Sequence, residues 1–339
     1  MVWFPRFASF IALGAVLLNC THVVAESGVP ADKENSCSYG PGTHLVLLGT
    51  GGGPVIRANR NQQANLLVVD CTPYLIDAGD GVARQLKKAG FFSYDVQRVF
   101  LTHLHFDHTA GIAPLFAFNW VSGRRQPVEI FGPPGTEKVV ADGISYFSVS
   151  EAIFSPQLPP HPSMRDMVKA HDFQLTGPSV IYQDHNIKVT AVANSHYGEL
   201  APERKSYGYD QSFSYRFETP DRVIVFTGDT GPSDATTELA RGADILVSEI
   251  IDIPAIIAFL ERQTNKPQAE ILPIVDHMRK EHLAPEEVGK MARAAAVRMV
   301  VLSHIVPGAD DEDSPQSYIS GVAEEFDGPV ILGRDLDRF

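Results

Sequence analysis

Thr102-His103-Leu104-His105-Phe106-Asp107-His108 is the stretch that decides how this 339-residue chain is read. It follows Val99-Phe100-Leu101, a short apolar run expected to form a buried strand. Four potential metal ligands fall within six positions. Side chains two apart on an extended backbone point the same way, so His103 and His105 converge. Imidazole and carboxylate are the donors that zinc and similar borderline cations accept. A polar loop that merely happens to be rich in histidine is the bland alternative. With only 12 histidines in the chain, chance does not account for so dense a cluster.

Working outward, three single residues fit the same site, each at the end of an apolar run. His196 follows the run from Val189 to Ser195, Asp229 follows Val223 to Gly228, and His304 follows Val300 to Ser303. Any one alone would pass for an ordinary core or turn residue. Together they supply what a two-metal site needs, with Asp229 as the carboxylate suited to bridge two cations about 3.5–4 Å apart.

This set resembles that of the metallo-β-lactamase-fold hydrolases, whose signature is His-x-His-x-Asp-His followed by later His, Asp and His ligands. The resemblance runs from about Leu45 to His304. It implies an α/β chain folded as a four-layer αββα sandwich with two zinc ions per chain. One zinc would sit on His103, His105 and His196, the other on Asp107, His108 and His304, with Asp229 bridging. Asp107 then counts as a catalytic candidate as well as a ligand. Manganese or iron suits the same donors. Leu75-Ile76-Asp77-Ala78-Gly79-Asp80-Gly81 is similar to the family's early motif. In it the Asp supports the ligands from behind, as carboxylates commonly orient ligating imidazoles.

Within the superfamily the pattern resembles the tRNase Z-like branch. Leu47-Leu48-Gly49-Thr50-Gly51-Gly52-Gly53-Pro54 is similar to its opening strand and glycine loop. A dinucleotide fingerprint would need glycine where Pro54 stands, so this loop reads as a tight turn beside the metal site. Glu249 matches the branch's acidic strand-end residue. His282-Leu283-Ala284-Pro285-Glu286-Glu287-Val288 resembles its late histidine motif. The resemblance implies that His282 contacts the scissile group, with Glu249 orienting it or lining the pocket. That motif usually reads His-Ser-Thr, and Leu283 and Ala284 depart from it. Arylsulfatases and cyclic-nucleotide phosphodiesterases of the branch share the same look.

Charge and the N-terminus bear on substrate. Lys plus Arg number 28 against 41 Asp plus Glu, a net charge of −13. Nucleic-acid binding draws its affinity from basic side chains on phosphates, and neither a basic footprint nor a basic, Gly-rich arm is visible. Residues 1–25 read as a signal peptide: Arg6, an apolar run from Phe7 to Leu18, then Val23-Val24-Ala25 before Glu26. Cleavage near Ala25 would leave 26–339 as one hydrolase domain, periplasmic or secreted, with no membrane span. A lipid anchor at Cys20 fits less well, because Asn19 precedes it. Cys37 and Cys71 would remain, either as buried thiols or as a disulfide.

The expected activity is hydrolysis of a small anionic ester, a phosphodiester or a sulfate ester. The alternatives are a tRNA 3′-processing endonuclease or a lactonase of the same fold, and last a non-catalytic binding protein. A nucleic-acid partner is not expected, and a homodimer stays open. Elsewhere, Leu45–Leu48, Leu66–Val69, Tyr74–Ile76, Ile245–Val247 and Met299–Leu302 read as strands. Ile112–Trp120 and Thr136–Phe147 read as helices. Val288, Met291, Ala292 and Ala295 mark the buried face of a helix starting at Pro285. Pro156–Pro178 is expected to be an irregular insertion or lid. Arg204 and Lys205 are either substrate contacts or solvated surface charges, and Asp310–Asp313 a solvated acidic loop.

Overall fold

A computed structural model of the chain describes residues 38–339 apart from 125, 265 and 311–315. The expected leader at 1–25, Cys20 and Cys37 lie outside the described residues, as does most of the acidic run at 310–313. Cys71 is disulfide-bonded.

The first half of the chain builds a six-stranded sheet in sequential order. Its strands are β1 (Thr43–Gly49), β2 (Ala64–Val69), β3 (Thr72–Ile76), β4 (Arg98–Phe100), β5 (Val128–Gly132) and β6 (Val168–Asp172). The first three pair antiparallel and the rest parallel. The second half builds a seven-stranded sheet from β7 (Ser179–Gln183), β8 (Lys188–Ala193), β9 (Phe213–Glu218), β10 (Val223–Phe226), β11 (Ile245–Ile251), β12 (Val300–Val306) and β13 (Val330–Leu332). Strands β10 to β13 run parallel and β7 to β10 antiparallel.

Strand alternation explains why the sheets stack. On β1, Leu45 and Leu47 face the second sheet, where Phe213, Tyr215 and Phe217 of β9 meet them. Val46 and Leu48 point the other way. There they pack under α1 (Val82–Lys88), α3 (Ile112–Val121) and α4 (Thr136–Tyr146). Such strands are buried on both faces and so read as continuous apolar runs. On β11, Ile245 and Val247 face inward. Leu246 and Ile250 pack outward beneath α6 (Asp234–Leu239), α9 (Pro285–Ala294) and α10 (Gln316–Ala323). The result is helices, sheet, sheet, helices: the αββα sandwich. Among the described residues no helix is long and apolar enough to cross a membrane.

Pro156–Pro178 departs from the expected irregular lid. It contains β6, the edge strand of the first sheet. Val168-Lys169-Ala170-His171-Asp172 is only half-buried along its length, so it carries no apolar alternation for a sequence reading to find. Asp310 is not simply solvated: its carboxylate accepts the Ala58 and Asn59 amides at 2.8 Å each.

Candidate metal centre

The candidate ligands gather beyond the C-terminal ends of β4, β8 and β10 and at a bulge within β12. β4 delivers Thr102 and the turn into α2 (Phe106–Thr109), whose buried side presents Asp107 and His108. His304 is the exception to strand regularity. β12 carries an extra residue opposite Glu249, where the register slips between Ser248 and Ile250. His304 also takes a positive φ of 45°. Bulges commonly re-aim a side chain beside an active site, and this one turns His304 toward the cluster. Gly52 allows the glycine loop to close on it, since a Cβ there would come within 2.7 Å of the His304 backbone.

Behind the cluster, Asp77 (φ 60°) does what its motif implied. Its Oδ1 accepts the Thr102 amide at 2.8 Å, and its Oδ2 lies 3.0 Å from His108 Nδ1. That contact puts the His108 proton on Nδ1 and leaves Nε2 facing the cluster. His196 Nδ1 likewise donates to the Glu281 carbonyl at 3.0 Å.

The structure brings every sequence-chosen ligand together. His103, His105 and His196 form one group whose donor atoms lie within 4.8 Å of one another; Asp107, His108 and His304 form a second. Asp229 stands between, its Oδ2 3.8 Å from His103 Nε2 and 3.2 Å from His304 Nε2, its Oδ1 3.3 Å from His108 Nε2. Nε2 of His103 and of His108, and Oδ1 of Asp229, are buried yet make no hydrogen bond. Polar atoms so placed are costly unless something satisfies them. Burial holds His103 well below the usual imidazole range and His196 down to about 3, so both rings are neutral lone-pair donors. Burial pushes the Asp229 carboxyl up, but His304, His108 and His103 outweigh it and keep the group ionised. The neutral rings of His103 and His196 beside the ionised Asp229, with buried unsatisfied polar atoms aimed inward, are what a bound cation requires.

Glu249 and His282 stand beside this cluster. His282 Nδ1 lies 2.6 Å from Glu249 Oε2, while Glu249 Oε1 accepts the Thr230 amide at 2.5 Å. Burial alone would lower the His282 pKa, but Glu249 outweighs it and lifts the ring to about 9. Burial also raises the Glu249 carboxyl, against the pull of His282. His282, His196 and Asp229 each place an atom within 4.8 Å of the others. Leu283, the departure from the motif, is fully buried in the outer core, and Ala284 caps α9.

Sequence reading passed over Tyr197. Its ring packs 4.9 Å from that of His196 and 5.3 Å from that of His105, walling the first ligand group. Adjacency to His196 was the one available signal. Lys205 is engaged by Asp210 at 2.5 Å, and Arg204 is exposed.

Residues 72–305 match the family model described as beta-lactamase superfamily domain. The chain belongs to that superfamily and is one of its metallo-β-lactamase-fold hydrolases, related to ribonuclease Z. A protein named ribonuclease Z from Mycobacterium bovis (strain BCG / Pasteur 1173P2) is 28% identical over 301 residues, covering 87% of this chain and 96% of that protein. Human tRNase Z, short form, superposes with a TM-score of 0.60 at 19% identity, covering 87% of this chain and 98% of that one. The metallo-β-lactamase-fold protein YhfI from Bacillus subtilis does so at 0.60 and 17%, covering 88% and 98%. Those two structural likenesses speak to the fold.

Proposed function

We propose that this hydrolase cleaves phosphodiester bonds at a two-metal site. The observation that carries the reading is the Glu249–His282 pair held against the ligand cluster. His103, His105 and His196 would hold one cation and Asp107, His108 and His304 the other, with Asp229 shared; the donor set favours zinc and admits manganese or iron. Cations bound there would supply Lewis-acid polarisation of the ester oxygens and a nucleophile at neutral pH. The chain's own part is the proton. Glu249 accepts from Nδ1–H of His282, which fixes the ring and leaves Nε2–H to be donated to the leaving oxygen. Thr230 holds the second Glu249 oxygen, so the carboxylate cannot swing away.

The relatives named ribonuclease Z support an RNA phosphodiester, as in tRNA 3′ processing. A second reading is a small phosphodiester or sulfate ester outside the cytoplasm. It is favoured by the disulfide at Cys71, a bond that persists in oxidising compartments. The leader-like segment at 1–25 and the charge of −13 favour it too. A panel separates them: precursor tRNA, bis(p-nitrophenyl) phosphate, an aryl sulfate, a lactone and a cephalosporin, each with and without chelator. Chelator-sensitive turnover of either phosphodiester supports the proposal, and the preferred one decides between the readings. Turnover confined to the sulfate, lactone or cephalosporin overturns the phosphodiester assignment.

A further inference from the structure

A cavity of about 540 Å³ is lined in part by Tyr197, the residue that packs on the ligand histidines. Tyr197 is therefore a shared wall: one side packs on His105 and His196, and the residue also lines this cavity. Its apolar lining includes Leu175, Leu200, Pro202 and Tyr209, and its polar lining includes Glu203, Asp210 and Gln211. Leu200 is 48% exposed and Tyr209 39%, so large apolar side chains stand open to solvent beside the reactive centre. The loop carrying them is braced from within. Gln211 clamps the Leu175 backbone from both sides, accepting its amide at 2.8 Å and donating to its carbonyl at 2.7 Å.

The charges decide what can enter. Asp210 already binds Lys205 and the Tyr207 hydroxyl, which uses up the nearby cation. Glu203 has no ion pair among the described residues. A second phosphate placed here would meet the carboxylates of Glu203 and Asp210 and no Lys or Arg of the lining, whereas an uncharged ring would meet tyrosine, leucine and proline. Cavities of this size with apolar walls and few polar groups commonly seat a ligand.

The geometry points to this cavity as the seat of an uncharged aromatic substituent of the ester, an aryl group or a nucleobase, with Tyr197 separating it from the reacting phosphate. The inference rests on the phosphodiester reading and names the substrate class for the same site. Calorimetry on the full metal-loaded protein with diphenyl phosphate and dimethyl phosphate tests it. So do kinetics on two diesters with one leaving group, bis(p-nitrophenyl) phosphate and methyl p-nitrophenyl phosphate. The aryl compound is expected to bind roughly 10–100-fold more tightly and to show a similar gain in kcat/KM. Leu200→Trp, which fills the cavity from an exposed position, should remove most of that preference, read as the ratio of kcat/KM for the two diesters. Tyr209→Ala should reduce it several-fold and guards against a folding defect in the first variant. Equal handling of aryl and methyl compounds, or a preference untouched by both substitutions, overturns the aromatic pocket alone. If the wild type hydrolyses neither diester, the phosphodiester reading falls and takes this inference with it.

Discussion

Nδ1 of His282 lies 2.6 Å from Oε2 of Glu249, and the other Glu249 oxygen is held by the Thr230 amide. Two side chains 33 positions apart are thus locked into one hydrogen-bonded unit beside Asp229. A histidine fixed through Nδ1 can offer only Nε2 to a substrate.

His282→Ala should lower kcat for a phosphodiester by roughly 10²–10⁴-fold, the usual worth of a positioned general acid, while metal content stays unchanged. Glu249→Gln should lower it less, because the ring stays in place but loses its ionised partner. Paired measurements of kcat and bound metal check this. Loss of metal from His282→Ala would make the residue a ligand instead.

Asp77→Asn should weaken metal binding by about 10–100-fold, the usual cost of disturbing a carboxylate that orients a ligating imidazole. Asp77 serves both the Thr102 amide and His108 Nδ1, and an amide can accept at only one of its two positions. Chelator-competition titration reads the affinity. Unchanged affinity would show that His108 is positioned by packing alone.

How much of this was legible in the sequence follows from where each signal lies. The ligand turn from His103 to His108 is local, and doubly buried strands such as β1 and β11 write themselves as apolar runs. The Glu249–His282 pair was visible only through resemblance, since no local spacing links a β11 residue to the end of α8 (Gln268–Glu281). β6 was missed because a half-buried edge strand needs no apolar pattern. The bulge that aims His304 was invisible, because an inserted residue shows only in the pairing of β12 with β11 and not in either strand alone.

Asp184 offers a test of how the two sheets are joined. Its Oδ2 accepts the hydroxyls of Tyr74 on β3 and Tyr182 on β7 at 2.8 and 2.9 Å, and its Oδ1 accepts the Asn186 and Ile187 amides. Burial pushes this carboxyl up, but the four bonds outweigh it and hold its pKa below the ordinary value. A depressed folded pKa gives stability that is complete above the unfolded value, near 3.9, and is lost as pH falls through the folded one. Asp184→Asn should therefore cost about 1–3 kcal/mol at neutral pH, and the gap to wild type should shrink below about pH 4. Denaturant unfolding at pH 7 and pH 3 checks this; a pH-independent gap would mean that the charge contributes nothing.

The central claim is that the histidine and carboxylate cluster is a working two-metal centre, and metal stoichiometry measured alongside hydrolysis tests it most directly. Purified protein should contain about two divalent ions per chain, lose bis(p-nitrophenyl) phosphate hydrolysis with a chelator, and recover it on adding zinc back. His103→Ala and His108→Ala should each lower metal content and hydrolysis together. Full hydrolysis in metal-free protein, or in either variant with both ions still bound, would contradict the account.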